Sequence, residues 1–529
     1  MSTPQSQHQP ETVAYSEHPP STESGGAAGP ASLLDRILDH GRLGKTAAIK
    51  DDFLERFLSQ TSPAECLRIW FGRVPETAAQ MQEARFRLAR DIARIDRLLS
   101  QQVNEILHCP EFQALEASWR GLFYLWQSRD ALFGEHGFDD ADARIEIRVL
   151  NVSKRELQKD FERAVDFDQN SLFHKVYEEE FGTAGGTPYG LLVADYEFTN
   201  HPDDLDLLNR LSGVGAAAFA PVIAAAAPDL IGLDHFSDLE KPVDLERVFQ
   251  QDRHRKWRSL RDRVDSQFLG LTLPRVLMRD PYRDDGGHAV GFRFHEDVQG
   301  ADRRKYLWGS SAWAMAAVVL RAFANCGWFA DIRGVERGVE GGGLVTGLPT
   351  HSFHTDGYGV ARRSSAEVAL SDRQEAELCD LGFIPLSHCK DTPYSVFYSN
   401  QSVHQPAQYD DPVVTANARI SAMLQYVLCC SRIAHYVKVL ARNKLGTHMS
   451  PYEIQNEVQT WLVQYVTPDE KADPAMKAQY PLREADVEVS EIPGQPGKYT
   501  MTVRLLPHYQ LDQLSSSMEL VVRRVDLKE

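Results

Sequence analysis

Three groups of side chains in this sequence have the types that chemistry requires, and their spacing decides what each can do. Gly41-Arg42-Leu43-Gly44-Lys45-Thr46 carries the Gly-Lys-Thr end of a phosphate-binding loop. Such a loop needs four residues between its first glycine and that end, so that successive amides wrap the phosphates. Two residues stand there, and the preceding Leu33 to Asp39 reads as a helix, so a helix-to-helix turn is expected. His351-Ser352-Phe353-His354 with Asp356, and the separate pair His388-Cys389, are metal-compatible. A zinc site needs three or four converging ligands, and this HxxH lacks the glutamate of a metalloprotease helix. The glycines Gly341, Gly342, Gly343, Gly357 and Gly359 make the region a structured loop. Gly309-Ser310-Ser311-Ala312 misses the second glycine of a nucleophile elbow, and Glu178-Glu179-Glu180 reads as a solvated run. No catalytic constellation, metal site or cofactor site is expected.

What remains is a chain built to fold and to pack. It has 57 Lys plus Arg against 75 Asp plus Glu, a net charge of -18 over 529 residues, which disfavours coating nucleic acid. With 43% hydrophobic and 25% charged residues, most of it should be globular. Its 7 cysteines lack CxxC spacing, so neither a disulfide framework nor a zinc ribbon is expected, and a reducing compartment fits. The N-terminus lacks a secretory pattern, and the apolar block Val214 to Ala227, interrupted by Gly215 and Pro221, is too short to span a bilayer. A soluble, cytoplasmic protein is expected.

The expected fold class is α/β (mixed α+β) in four segments. Residues 1–32, rich in Pro, read as a tail. Residues 33–110 read as a helical arm, with apolar pairs in Leu33-Leu34-Ile37-Leu38 and Phe53-Leu54-Phe57-Leu58. Met81, Leu88, Ile92, Ile95 and Leu99 form a partial heptad seam that seeks a partner helix, and Arg85, Arg87, Arg90, Arg94 and Arg97 decorate the other faces. Residues 111–400 read as an α/β body. Arg144 to Leu150 alternates like a strand, Ser153 starts a helix, and Tyr189 to Tyr196 and Phe219 to Ala227 are apolar runs suited to buried strands, with Leu205 to Gly213 as a crossover helix. In residues 401–529, a helix from about Thr415 toward Gly446 carries an apolar face wide enough to be buried on more than one side. Val487 and Val489, the turn Pro493 to Gly497, and alternating Tyr499, Met501, Val503 and Leu505 predict a hairpin. Met518 to Val525, with Leu520 and Val522, reads as a further strand. Such a small sheet leaves edge donors and acceptors for another chain to complete, which makes these strand residues candidates for inter-subunit pairing.

Several blocks together resemble the large sheath subunit of bacterial type VI secretion systems, the TssC/VipB/EvpB family. They are Phe112 to Trp126, Asn151 to Phe173, Gly185 to Tyr196, Trp257 to Tyr282, Leu381 to Tyr394, Asn417 to Tyr436 and Tyr480 to Leu511, in the family's order across residues 33–529. The Pro-rich tail and the Cys429-Cys430 pair depart from it. The resemblance implies a structural protein without catalytic activity. It would pair with a small sheath subunit of the TssB/VipA family and stack with its own copies in a helical sheath around an Hcp inner tube on a baseplate. The ClpV ATPase would engage mainly the small subunit. Two rival readings are the single sheath protein of a phage-tail-like contractile particle, and a cytoplasmic metal-dependent hydrolase using His351, His354 and His388.

Overall fold

The computed structural model describes residues 56–133, 145–284, 291–300, 302–335, 340–350, 364–390, 392–444, 450–469, 471–491 and 499–508. The chain divides into two compact units between Leu88 and Ala89. In the first, helix α1 (Pro63–Phe71) starts on Pro63 and stops at Gly72, whose φ of 73° only glycine adopts without strain. The ring of Trp70 rests against Phe57 at 5.1 Å. Helix α2 (Ala78–Leu107) begins in this unit and continues into the second.

The second unit is organised by a parallel sheet in the order β1 (Leu192–Phe198), β2 (Val222–Ala226), β3 (Leu269–Leu273), β4 (Ile384–Pro385). Every residue of β2 and β3 is buried, as near-continuous apolar strands covered on both faces must be. Their alternation divides the core. Val222, Ala224 and Ala226 join a cluster with Leu205, Leu208 and Leu211 of helix α5 (Pro202–Ala218), after α3 (Pro110–Phe133) and α4 (Lys154–Arg163). Ile223 and Ile384 face the other way, toward Met315, Val318 and Val319 of helix α6 (Ala312–Cys326). The expected strands over 189–196 and 219–227 and their crossover helix are therefore present, with shifted ends.

Outside α6 lies α3. A Cβ on Gly121 would stand 2.3 Å from the indole of Trp313, so this close crossing requires glycine. Helix α7 (Leu424–Lys444) is buried on two sides, with Leu424 and Leu428 in the sheet-side core and Ile433 and Val437 in a third cluster shared with α8 (Pro451–Val463). The single helix expected from Thr415 is corrected to two, Pro412–Ser421 and α7. Ser402 N–H donates to the Ala422 carbonyl and Gln401 bridges Met423, which pulls the chain out of helical geometry at the break.

A second correction concerns 145–150, which belongs to no strand. Ile145 and Ile147 pack near Trp313, but Val149 and Leu150 are exposed and no described neighbour supplies a ladder. The readings over 1–55, the turn 493–497, Gly446 and the strand 518–525 lie outside the described residues.

Candidate functional site

The expected hairpin forms from β5 (Leu482–Glu491) and β6 (Tyr499–Pro507), an antiparallel two-stranded sheet pairing Val487 with Val503 and Val489 with Met501. Side chains alternate strictly. Ala485, Val487, Val489, Met501, Val503 and Leu505 pack with Val458, Trp461 and Leu462 of α8. Glu484, Asp486, Glu488, Thr502, Arg504 and Leu506 point to the exposed face, where Arg504 spans to Asp486 and Glu488, each at 3.0 Å. The side chains of Val487, Val489, Met501, Val503 and Leu505 are thus spent on a core within the chain, so pairing with another chain through these residues must go through backbone edges. Leu520 and Val522 lie outside the described residues.

The two edges of this hairpin differ. On β5, Gln459 Nε2 donates to the Ala485 carbonyl at 2.8 Å, and Val489 N–H donates to Gln455 Oε1 at 3.2 Å. Leu482 N–H donates to the Tyr465 carbonyl, and the Leu482 carbonyl accepts from Thr467 N–H at 2.9 Å. The outward groups of β5 are therefore at odd positions from Ala485 on, and in an antiparallel register their partners Leu505, Val503 and Met501 also turn their N–H and C=O outward. Among the described residues, nothing hydrogen-bonds those outward groups of β6.

The edges of the parallel sheet are closed. The outer carbonyl of Glu197 on β1 accepts from Lys154 Nζ at 3.0 Å, and the strand is irregular between Val193 and Glu197. Lys154 is held in turn by Asp204 at 2.6 Å, and its helix α4 is started by a capping box between Ser153 and Glu156. The far edge, β4, is two residues long and contains Pro385. Short edges, bulges, proline and lysine all block strand addition.

Two helices present apolar surface. The seam residues Met81, Leu88, Ile92, Ile95 and Leu99 are on α2, between 38% and 48% exposed. On α3, Leu115, Trp119, Phe123 and Trp126 share one side at a spacing of four, four and three, with Trp119 66% exposed and Phe123 stacked on Trp126. No site is expected on α3 from its sequence alone. The signal was there, because Ala117, Gly121 and Leu125 on its opposite side face the core, and a helix apolar all round is buried all round.

A buried charge network fastens the base of both helices. Arg279 Nε donates to Glu116 of α3 at 2.8 Å and its second nitrogen to Glu296 at 3.1 Å, while Asn104 of α2 accepts from Asp297 N–H at 2.9 Å. Burial pushes the Glu296 carboxyl up, but the nearby His108 at 3.5 Å and hydrogen bonds from Arg279 and Tyr282 N–H outweigh it and hold the group at about 2. The network is structural, since both oxygens of Glu296 are engaged.

Of the residues weighed for a metal, His388 sits in a short strand, Ser387–His388, paired with Ser395–Val396, while His351, His354 and Asp356 lie outside the described residues. Among the described residues, no three His, Cys, Asp or Glu side chains could hold a metal ion, and no helix is long and apolar enough to cross a membrane. Burial pushes the Cys430 thiol up to about 11 and also raises the Cys429 thiol well above its ordinary value.

Comparison with known proteins bears on these surfaces. The family described as EvpB/VC_A0108, tail sheath N-terminal domain, matches residues 89–404, and the EvpB/VC_A0108 tail sheath gpW/gp25-like domain matches residues 413–523. The type VI secretion system sheath protein TssC1 of Pseudomonas aeruginosa is 43% identical over 441 residues, covering 83% of this chain and 86% of that protein. Among solved structures, a chain of the anti-feeding prophage baseplate matches at 11% identity and a TM-score of 0.32, over 59% of this chain and 65% of that one. The anti-feeding prophage helical sheath in its contracted state matches at 14% identity and a TM-score of 0.27, over 60% and 76%. Likenesses that slight carry no inference.

Proposed function

The chain belongs to the EvpB/VC_A0108 tail sheath family, and on that premise we propose that it is the large subunit of a type VI secretion sheath whose copies are tied together through the open edge of β6. It is a structural sheath protein and not an enzyme. The observation that carries the edge reading is the contrast between β5, where Thr467, Gln459 and Gln455 hydrogen-bond the outward groups of Leu482, Ala485 and Val489, and β6, whose alternate backbone groups at Met501, Val503 and Leu505 meet nothing among the described residues. A strand from a neighbouring chain that docks on β6 gains hydrogen bonds at Met501, Val503 and Leu505 and extends the apolar layer on α8. Among the candidate pairing residues Val487, Val489, Tyr499, Met501, Val503, Leu505, Leu520 and Val522, β6 supplies the backbone edge, and Val487 and Val489 hold the hairpin on its core.

The seam of α2 and the aromatic side of α3 are the further faces, and we assign them to packing against the small sheath subunit of the TssB/VipA family. The same reading places the chain in the cytoplasm, around an Hcp inner tube and on a baseplate, with ClpV acting mainly through the small subunit. It divides the chain into a tail (1–32), a helical arm (33–110), a body (111–400) and a C-terminal domain (401–529). Contraction then needs no nucleotide in this chain. A metastable extended lattice that buries more complementary surface when contracted releases the energy, and backbone-paired edges hold neighbours together while rigid bodies move.

Negative-stain microscopy of this chain, alone and co-expressed with the small subunit, tests the reading. Tubes only in the mixture support it. Tubes from this chain alone point to the single sheath protein of a phage-tail-like particle, and a chain that stays monomeric beside every small subunit contradicts it.

A further inference from the structure

Helix α2 carries a second feature that strand pairing and seam packing leave unused. At about 100° per residue, Met81, Leu88, Ile92, Ile95 and Leu99 gather on one side and Arg87, Arg90, Arg94 and Arg97 on the opposite side. All four arginines are exposed. Arg87 is held by Glu83 at 2.6 Å, whereas Arg90, Arg94 and Arg97 have no ion pair among the described residues. Like charges three and four residues apart disfavour a helix, and at about 100° per residue the nearby acids Asp91 and Asp96 fall on the flanks of this row and not within it. Here three guanidinium groups run in single file over about 10 Å of helix, in a chain whose net charge is -18.

We propose that Arg90, Arg94 and Arg97 form a docking row for an acidic helix of a neighbouring polypeptide, one with carboxylates at the same four-and-three spacing. The row is one residue wide, which matches the ridge of another helix. Guanidinium forks hold carboxylates in fixed, two-pronged geometry. A duplex or an anionic bilayer engages a broad basic surface instead and repels a chain of this net charge. With the apolar seam on the other side, α2 is then gripped from both sides. The row does not rely on pairing at β6, and its test does not require a sheath to form.

The test measures binding of the full chain to a fluorescein-labelled helical peptide with glutamates at i, i+4 and i+7, by anisotropy at low salt. The triple change Arg90→Gln, Arg94→Gln, Arg97→Gln should weaken binding on the order of tenfold. Lysine at all three positions should recover part of it, and Ile92→Ser with Ile95→Ser should leave it unchanged. Circular dichroism of each variant shows that α2 is intact. Equal binding by wild type and the glutamine triple, no binding at low salt, or tighter binding to phosphatidylglycerol vesicles or duplex DNA than to the peptide would each overturn the proposal.

Discussion

At the border of the parallel sheet, Lys154 occupies the Glu197 carbonyl and β4 is cut to two residues with a proline, while at the border of the hairpin Met501, Val503 and Leu505 hold out backbone groups that no described residue meets. The same chain thus blocks strand addition at the border of its parallel sheet and, among the described residues, leaves the outward groups of Met501, Val503 and Leu505 on β6 free to take it. Closure does not simply follow from burial, because the inner face of the hairpin packs on α8, with Val487 1% exposed and its neighbours Val489, Met501, Val503 and Leu505 half-buried, yet the edge of β6 stays open. The difference is made by a few side chains, Lys154 on one side and Gln455 and Gln459 on the other. That is what selective blunting of edges looks like.

The largest effect should come from proline on β6. Val503→Pro removes an outward N–H, spares the ladder to β5 and should abolish tubes while the lone chain keeps most of its melting temperature. Thr502→Pro breaks an inward bond and should instead unfold the hairpin, lowering stability by about 3 kcal/mol. If both behave alike in microscopy and calorimetry, the assigned phase of the edge is wrong.

Next in size, Trp119→Ser with Phe123→Ser should weaken small-subunit binding by about 2–4 kcal/mol without unfolding α3, since only exposed surface is lost. Titration calorimetry that finds no change would show this side of α3 to be merely solvated.

Acid should separate the body from the hairpin. Among the described residues, His254 is fully buried against Phe249 with neither ring nitrogen hydrogen-bonded, and His435 donates only to the Ala218 carbonyl at 2.9 Å. Burial holds both at about 4, with Arg253 and Arg258 adding to the effect at His254. The unfolded chain takes up those protons near 6.5, so stability is full above that pH and falls as pH drops toward about 4, by about 1.4 kcal/mol per pH unit for each histidine. Urea midpoints measured across that window should show the slope, and His254→Leu should halve it.

Smaller still, Lys154→Met should cost about 1–3 kcal/mol by leaving Asp204 short of a partner, and should let β1 self-associate, read as a shift in light scattering. Arg504→Ala should change stability by less than about 1 kcal/mol, because its ion pairs are solvent-exposed.

Much of this was legible in the chain itself. The alternation of Val487, Val489, Met501, Val503 and Leu505 predicts both the hairpin and its inward face, and the apolar runs around 192–198 and 222–226 predict buried parallel strands. Local pattern failed where the outcome depends on a distant partner. Ile145 to Leu150 alternates as well as β6 does, but no strand among the described residues pairs with it, and the break before α7 is imposed by Gln401 and Ser402. Which edge of the hairpin stays open is set by Gln455 and Gln459, whose meaning appears only once α8 lies beside β5.

Residue-resolved amide hydrogen exchange of β6, in the lone chain and in assembled tubes, tests the open edge most directly. Thr500, Thr502 and Arg504 should be protected in both states, while Met501, Val503 and Leu505 should exchange freely in the lone chain and become slow in tubes. Fast exchange at Met501, Val503 and Leu505 inside intact tubes would contradict strand addition at this edge.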